Sequence, residues 1–294
     1  MNFTNGKQLL DLCNEHKLPI SQVMFTRETT YLEQNPEQVF KKMEQAYTIM
    51  KQAIHRALTE DLISMGGMIG GESNKLHALR MEGKNICGSL VSKAITYAIG
   101  VLEVNASMGL IVAAPTAGSS GVIPGVLCAV QEEYDLTDAE IIQSLYTASA
   151  VGYLITRNAT TAGDEGGCQA EVGSASAMAA AAITELRGGT PSQCLDAASF
   201  ALINILGLVC DPVGGLVEIP CQNRNAMGAS NALISAEIAL SGIQSVVPID
   251  EAIEIMYRVG RSLPMSLRET AQGGTALSPS ACSACRSKSI KQTF

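Results

Sequence analysis

Residues 169–186 read QAEVGSASAMAAAAITEL, a stretch that carries seven alanines between Ala170 and Ala182. Alanine has the highest intrinsic helix propensity, so this stretch predicts a helix. Aromatic residues make up only 4% of the chain and Trp is absent. The core must therefore be filled by Ala, Ile, Leu, Val and Met, and such a core favours closely packed helices. The stretch and the composition together predict an all-α fold.

Further helices are indicated on both sides of this stretch. Residues 35–37 (Asn-Pro-Glu) supply an N-cap, a proline at the first helical position and an early acid. Thr137 and Thr190 each open a capping-box sequence. Residues 226–240 favour a helix by propensity, and Asp250 is expected to open a helix that runs to Arg261. No run of strand length alternates with period two and carries a hairpin turn, so a mainly helical chain is expected.

Residues 104–131 contain no charged side chain. This uncharged run is long enough for a transmembrane helix to be considered. Pro115, Pro124 and several glycines interrupt this run, however. Thr116, Ser119 and Ser120 lie at its middle, where lipid would leave backbone groups unsatisfied. We therefore expect a buried helix, a polar glycine-rich break and a second buried helix, and no membrane association.

Composition and charge exclude several classes of protein. Hydrophobic residues make up 47% of the 294 residues against 16% charged, which excludes a disordered chain. The net charge is −8 and no basic block is longer than Lys41-Lys42, so nucleic acid is not expected as a partner. The N-terminus lacks the pattern of a signal peptide, so we expect a cytoplasmic protein with reduced thiols.

The nine cysteines must therefore be buried filler, ligands of a metal or cluster, or reactive thiols. Cys168, Cys210 and Cys221 each lie beside turn residues. Backbone N–H groups at a helix end stabilise a thiolate, which suits an iron–sulfur cluster, although burial as filler stays open. Cys282 and Cys285 have the spacing of a metal pair, but no second pair completes a zinc site.

Glycine-rich turns span residues 66–71, 117–121 and 163–167. Their N–H groups could hold a carboxylate, or the glycines could simply permit tight turns between helices. Ser73-Asn74-Lys75 resembles the Ser-x-Lys of some pyridoxal phosphate enzymes, with residues 214–216 as a phosphate loop, or Lys75 could be a solvated lysine. A pyridoxal phosphate lyase that uses Lys75 and a non-enzymatic iron–sulfur carrier are therefore alternative functions.

Several segments resemble the iron–sulfur-dependent L-serine dehydratase family, specifically its α chain. The similarity extends from near the N-terminus to about Gly274. The segments are residues 105–109 (NASMG), 114–125 (APTAGSSGVIPG), 166–175 (GGCQAEVGSA), 207–221 (GLVCDPVGGLVEIPC) and 224–229 (RNAMGA).

The resemblance implies a compact helical catalytic domain built around a [4Fe–4S] cluster, with Cys168, Cys210 and Cys221 as its ligands. A cluster held by three thiolates leaves one iron open for the substrate. The implied reaction converts L-serine to pyruvate and ammonia. The resemblance also implies a separate β chain, because the family's β portion is missing here, and an oligomer is expected. The domain is expected to span residues 1–277, followed by a divergent tail over residues 278–294 in which Cys282 and Cys285 inherit no role.

The substrate and catalytic residues are less closely defined by the sequence. We expect the serine carboxylate to bind the loop made of Thr116, Gly118, Ser119, Ser120 and Gly121. The base that removes the α-proton is not identified, and Glu165, Ser119, Asp164 and a residue of the β chain are the candidates. Asn105 and Arg224 are further polar candidates, Asn105 as a structural hydrogen-bonding residue.

Overall fold

The computed structural model describes residues 1–281 and residue 283, and these residues form an all-α fold. Within them, no strand is present, and an isolated parallel bridge joins Cys210 to Arg268. The helices are α1 (Gly6–His16), α2 (Ile20–Thr26), α3 (Pro36–Thr59), α4 (Glu72–Met81), α5 (Gly88–Ala106), α6 (Val122–Tyr134), α7 (Asp138–Asn158), α8 (Gly163–Gly166), α9 (Cys168–Leu186), α10 (Pro191–Ile203), α11 (Cys221–Leu240) and α12 (Ile249–Ser262).

The alanine-rich stretch forms α9, which lies at the centre of the molecule and packs against α6, α7, α10 and α11. Every residue from 168 to 184 is buried except Glu171. A helix that is apolar on nearly all sides is stable only when other helices surround it. Glu171 is the one residue between 168 and 184 that is partly exposed.

The predicted helix starts at residues 35–37, Thr137 and Thr190 are confirmed. The Asn35 side chain accepts a hydrogen bond from the backbone N–H of Gln38, and both capping boxes are formed. Helix α12 instead begins at Ile249, one residue before the predicted Asp250. The Asp250 carboxylate accepts hydrogen bonds from the backbone N–H groups of Gly6 and Lys7, so it caps α1 rather than its own helix.

The uncharged run over residues 104–131 is divided as predicted. It begins in the last turn of α5, passes through a loop and a short 3₁₀ turn at Ala117–Ser119, and continues into α6. None of the helices in the described residues is both long and apolar enough to cross a membrane. Cys282 and Cys285 lie outside the described residues, and the division of the chain after residue 277 stays a prediction.

Candidate functional site

Two of the three predicted cysteine ligands meet in the interior, at the N-terminal end of α9. Cys168 is the first residue of α9, and Cys210 lies on the segment between α10 and α11. The two sulfurs and a carboxylate oxygen of Glu171 all lie within 4.8 Å of one another. These three side chains form a group that could hold a metal ion.

Local hydrogen bonds bring the two cysteine segments together. Gly167 has a left-handed backbone, with φ of 75°, which lets the chain turn sharply between α8 and α9. The next residue but one, Gln169, donates its backbone N–H to Leu208 O at 3.0 Å and accepts from the Gly207 N–H at 2.8 Å. These hydrogen bonds join the start of α9 to the segment that leads to Cys210.

The third cysteine, Cys221, is buried and is the first residue of α11. One turn later on the same helix, Arg224 donates from Nη1 to Cys168 Sγ at 3.4 Å, which orients the start of α11 toward the start of α9. Burial and the nearby charge of Cys168 raise the pKa of Cys221 to about 12. Because Cys168 and Cys221 both begin helices, the partial positive charge of two helix N-termini faces the site.

The thiols of Cys168 and Cys210 differ in acidity. A hydrogen bond from Cys210 lowers the pKa of Cys168 below its ordinary value against the effect of burial, and the positive charge of Arg224 acts in the same direction. The same hydrogen bond, together with burial, raises the pKa of Cys210. Cys168 is therefore the more acidic thiol of the pair.

Glu171 connects the cysteines to the predicted substrate loop. Thr116 Oγ1 donates to Glu171 Oε1 at 2.8 Å. Burial raises the pKa of Glu171 to about 7, and the negative charges of Glu269 and Asp164 add to that effect. The pKa of a second acid, Glu269, is also raised by burial and by the negative charge of Asp164.

The loop over residues 116–121 is held in place by Asn225 of α11. Asn225 donates to Gly118 O at 2.7 Å and accepts from the Gly121 N–H at 2.9 Å. Ser119 Oγ lies 3.0 Å from Thr116 Oγ1, and both Ser119 and Ser120 are fully buried. The Ser120 hydroxyl is buried without a hydrogen-bond partner.

The other sequence candidates are exposed or have structural contacts. Glu165 is exposed on the short helix α8. Lys75 lies on the surface of α4, where its side chain is 76% exposed and pairs with Glu72. Asn105 donates to Ala117 O at 3.2 Å, which is the structural role expected of it.

The glycine-rich turn over residues 66–71 does hold carboxylates, but they belong to this chain. The N–H groups of Gly66 and Met68 donate to Glu218, and the Gly70 N–H donates to Glu72. With these donors engaged, the turn fastens the loop before α4 to the segment before α11. These N–H groups of the turn therefore bind side chains of this protein rather than a ligand.

Sequence reasoning missed Glu171, Glu269 and Asn225. Glu171 follows Cys168 by three residues on a predicted helix, and side chains three residues apart share a face, so that spacing was the available signal. Glu269 reaches the site only because the segment after α12 returns to Cys210. No local pattern marks such a long-range return.

The donor set fits an iron–sulfur cluster. Cluster irons are held by cysteine thiolates, and the site offers buried sulfurs at two helix N-termini with an arginine beside them. The lowered pKa of Cys168 reduces the cost of the deprotonation that metal binding requires. The carboxylate of Glu171 beside the sulfurs also makes the group different from a site built of thiols alone.

Comparisons with known proteins agree with one another. A family model described as "Serine dehydratase alpha chain" matches residues 15–276. A Bacillus subtilis protein named "Probable L-serine dehydratase, alpha chain" is 49% identical, over 94% of this chain and 92% of its own length. The "L-serine dehydratase, alpha chain" of Peptoniphilus asaccharolyticus is 45% identical, over 93% of this chain and 94% of its own length.

A longer relative covers the same part of the chain. The Escherichia coli protein "L-serine dehydratase TdcG" is 33% identical over 94% of this chain, but the match spans only 62% of its own length. More than a third of that relative's length therefore lies outside the match.

Proposed function

This chain belongs to the serine dehydratase alpha chain family, and we propose that it is a lyase that converts L-serine to pyruvate and ammonia with a [4Fe–4S] cluster. The reaction removes the Cα proton and the Cβ hydroxyl as water. The resulting aminoacrylate tautomerises and takes up water to release ammonia, so the net products are pyruvate and ammonia. The observation that carries the proposal is the buried group of Cys168, Cys210 and Glu171 in a chain of this family.

We assign the cluster to Cys168, Cys210 and Cys221. When bound, such a cluster supplies a Lewis-acidic iron that makes the serine hydroxyl a better leaving group. Arg224 holds the Cys168 sulfur through the hydrogen bond from Nη1. The helix N-termini at Cys168 and Cys221 offset the negative charge that several thiolates bring into the interior.

We assign substrate binding to Thr116, Gly118, Ser119, Ser120 and Gly121. Support comes from the closeness of this loop to the cysteines, because Thr116 donates to Glu171, which lies beside both sulfurs. The buried Ser120 hydroxyl has no partner within the described residues and offers a donor for a carboxylate. Asn225 holds the loop through its hydrogen bonds with Gly118 and Gly121.

Glu171 is the side chain best placed to hold or move a proton at its carboxylate oxygens. It is largely buried, and one of its oxygens accepts a hydrogen bond from the Thr116 hydroxyl. Glu165 and Ser119 are the other candidates, of which Glu165 is exposed and Ser119 is buried beside Thr116. Burial makes a carboxylate a stronger base, because it raises the pKa of the carboxylate toward that of the group from which it removes a proton.

The name "alpha chain" of two relatives supports a separate companion chain for this protein. The longer relative from E. coli is consistent with such a companion, since about 38% of its length lies outside the match to this chain. We propose that the companion chain takes part in the reaction together with this chain.

The cysteine assignment is tested by anaerobic purification with the companion chain, a count of bound iron and sulfide, and pyruvate formation from L-serine. Cys168→Ser, Cys210→Ser and Cys221→Ser should each lose iron and activity, because a site with two thiolates leaves two irons without protein ligands. Cys87→Ser is the matched control, since Cys87 is exposed on the surface. Cys282→Ser and Cys285→Ser should also be mild. Full iron content in Cys210→Ser would refute the assignment.

The alternatives make opposite predictions in the same assay. A pyridoxal phosphate lyase would lose activity in Lys75→Ala and would gain it on addition of pyridoxal phosphate. A non-enzymatic carrier would hold iron but form no pyruvate. The exposed position of Lys75 favours neither a buried Schiff base nor a role in the cysteine group.

A further inference from the structure

The segment after α12 returns to the cysteine site and runs beside Cys210. Cys210 donates its backbone N–H to Leu267 O at 2.9 Å, and Glu269 donates its N–H to Cys210 O at 2.7 Å. The chain then turns back at Gly274 and Thr275. Residues 267–275 form this returning segment, the C-terminal strap.

Asp211, next to Cys210, joins the strap to the cysteines. This carboxylate is 2% exposed. Its Oδ1 forms an ion pair with Arg224 Nη2 at 2.7 Å, and its Oδ2 accepts from the Thr275 N–H at 2.6 Å. The Thr275 hydroxyl lies within donating distance of both Asp211 Oδ2, at 2.9 Å, and the Asp211 main-chain O, at 2.8 Å. One buried carboxylate therefore binds the strap on one side and an arginine on the other.

Arg224 is fixed at three points. Besides the ion pair with Asp211, Nη1 donates to Val209 O at 2.9 Å and to Cys168 Sγ at 3.4 Å. A guanidinium presents its donors in a rigid plane, so anchoring one nitrogen sets the direction of the others. Asp211 is therefore one of the two anchors, with Val209 O, that set where Arg224 meets the sulfur.

The close approach at Gly274 requires glycine. Its φ is 59°, and a Cβ at this position would lie 2.1 Å from Asp211 Oδ2. Any side chain there must displace the Asp211 carboxylate or the strap itself. The strap is therefore built to contact Asp211.

We propose that Asp211 is a positioning residue: through its bonds to the C-terminal strap, it holds Arg224 against Cys168 and fixes the geometry of the cysteine group. The effect on a bound cluster rests on the proposed function, whereas the coupling between strap and cysteines is a property of the chain alone. Loss of the strap contact frees the Asp211 carboxylate, and Arg224 then loses the anchor that directs Nη1 toward the sulfur.

Two pairs of variants test this coupling. Thr275→Val removes the hydroxyl that donates to Asp211, and Thr275→Ser keeps it. Gly274→Ala forces a methyl group onto Asp211. Its control is Gly242→Ala, because Gly242 is also left-handed, with φ of 92°, but a Cβ there would have no neighbour within 4 Å.

Hydrogen exchange on the cofactor-free chain is the first readout. Thr275→Val and Gly274→Ala should raise the exchange rates of the Cys210 and Glu269 amides about tenfold, because a hydrogen bond to a charged group limits local opening. Thr275→Ser and Gly242→Ala should leave both rates unchanged. Equal rates in all four variants and the wild type would overturn the proposal.

The reduction potential of the reconstituted protein is the second readout, which a merely structural defect would not move in a set direction. Hydrogen bonds to cluster sulfurs are among the factors that set the potential. Thr275→Val should lower the reduction potential, because it weakens the hydrogen bond from Arg224 to Cys168. Thr275→Ser, which keeps the hydroxyl, should have the wild-type potential. If wild-type protein bound no iron, the proposed function would fail, while the exchange rates would still decide whether the strap holds the cysteines.

Discussion

At the scale of single residues, the position of Glu171 decides which acid can act on a substrate beside the cysteines. Glu171 lies within 4.8 Å of both sulfurs, whereas Glu165, six residues earlier, is exposed. Glu171→Gln keeps the shape and the hydrogen bond from Thr116 but removes a titratable oxygen. We expect it to lower kcat about 10²-fold or more, which is the usual contribution of general acid–base catalysis.

The matched control is Glu165→Gln, which should leave kcat within about a factor of two of wild type, since exposed substitutions seldom affect distant chemistry. Both variants should first be shown to bind the same amount of iron, so that a lost cofactor is not mistaken for a lost base. Reversal of the two effects would assign the proton transfer to Glu165 and remove Glu171 from it.

The site was predictable from the sequence only where its residues occur in recognisable segments. Cys168 and Cys210 were predicted as partners and meet in the interior, and the loop that begins at Thr116 lies beside them through Glu171. Glu269 was not predictable, because its place depends on a backbone pairing with Cys210 over nearly sixty residues of chain.

At the scale of helices, close packing depends on glycines whose neighbours cannot move. A Cβ on Gly125 of α6 would lie 2.8 Å from the backbone of Ala94 and from Ala98 of α5. Gly125→Ala must therefore separate the two helices, and we expect it to lower the free energy of unfolding by about 1–3 kcal/mol, as overpacking does. Urea unfolding of the cofactor-free chain measures the change.

Gly152→Ala is the comparison on α7. A Cβ at Gly152 would lie 2.8 Å from the terminal methyl group of Met178, a flexible side chain that can rotate away. Both substitutions gain the same helix propensity of about 1 kcal/mol. Gly152→Ala should therefore be nearly neutral. A stability loss as large as that of Gly125→Ala would show that α7 and α9 are as rigidly packed as α5 and α6.

Helices were the most predictable part of the fold, because their signals are local. The capping boxes at Thr137 and Thr190 each lie within four residues and form as predicted. Asp250 shows the limit of such signals. Its acidic side chain has the chemistry of a helix cap, yet it caps α1, which is distant in sequence, and no local pattern distinguishes the two.

At the scale of the whole molecule, the loop that leads from α5 to the site is conspicuously apolar on its surface. Met108 is 75% exposed and Leu110 is 68% exposed, only a few residues before Thr116. Exposed apolar residues beside a functional site often mark a contact with another protein. Two relatives bear the name "alpha chain", and we therefore expect the proposed companion chain to bind at this surface.

We therefore expect the purified chain to turn over L-serine poorly by itself and to gain activity when the companion is added. Leu110→Glu should reduce that gain at least about tenfold at limiting companion, because burying an unpaired charge in an interface is costly. Iron content and unfolding should not change, since the side chain is exposed. Val246→Glu is the control, because Val246 is 98% exposed on the connection between α11 and α12. Equal loss in both variants would mean that general surface charge, not the loop before Thr116, governs association, and full activity of the chain alone would show that no companion is needed.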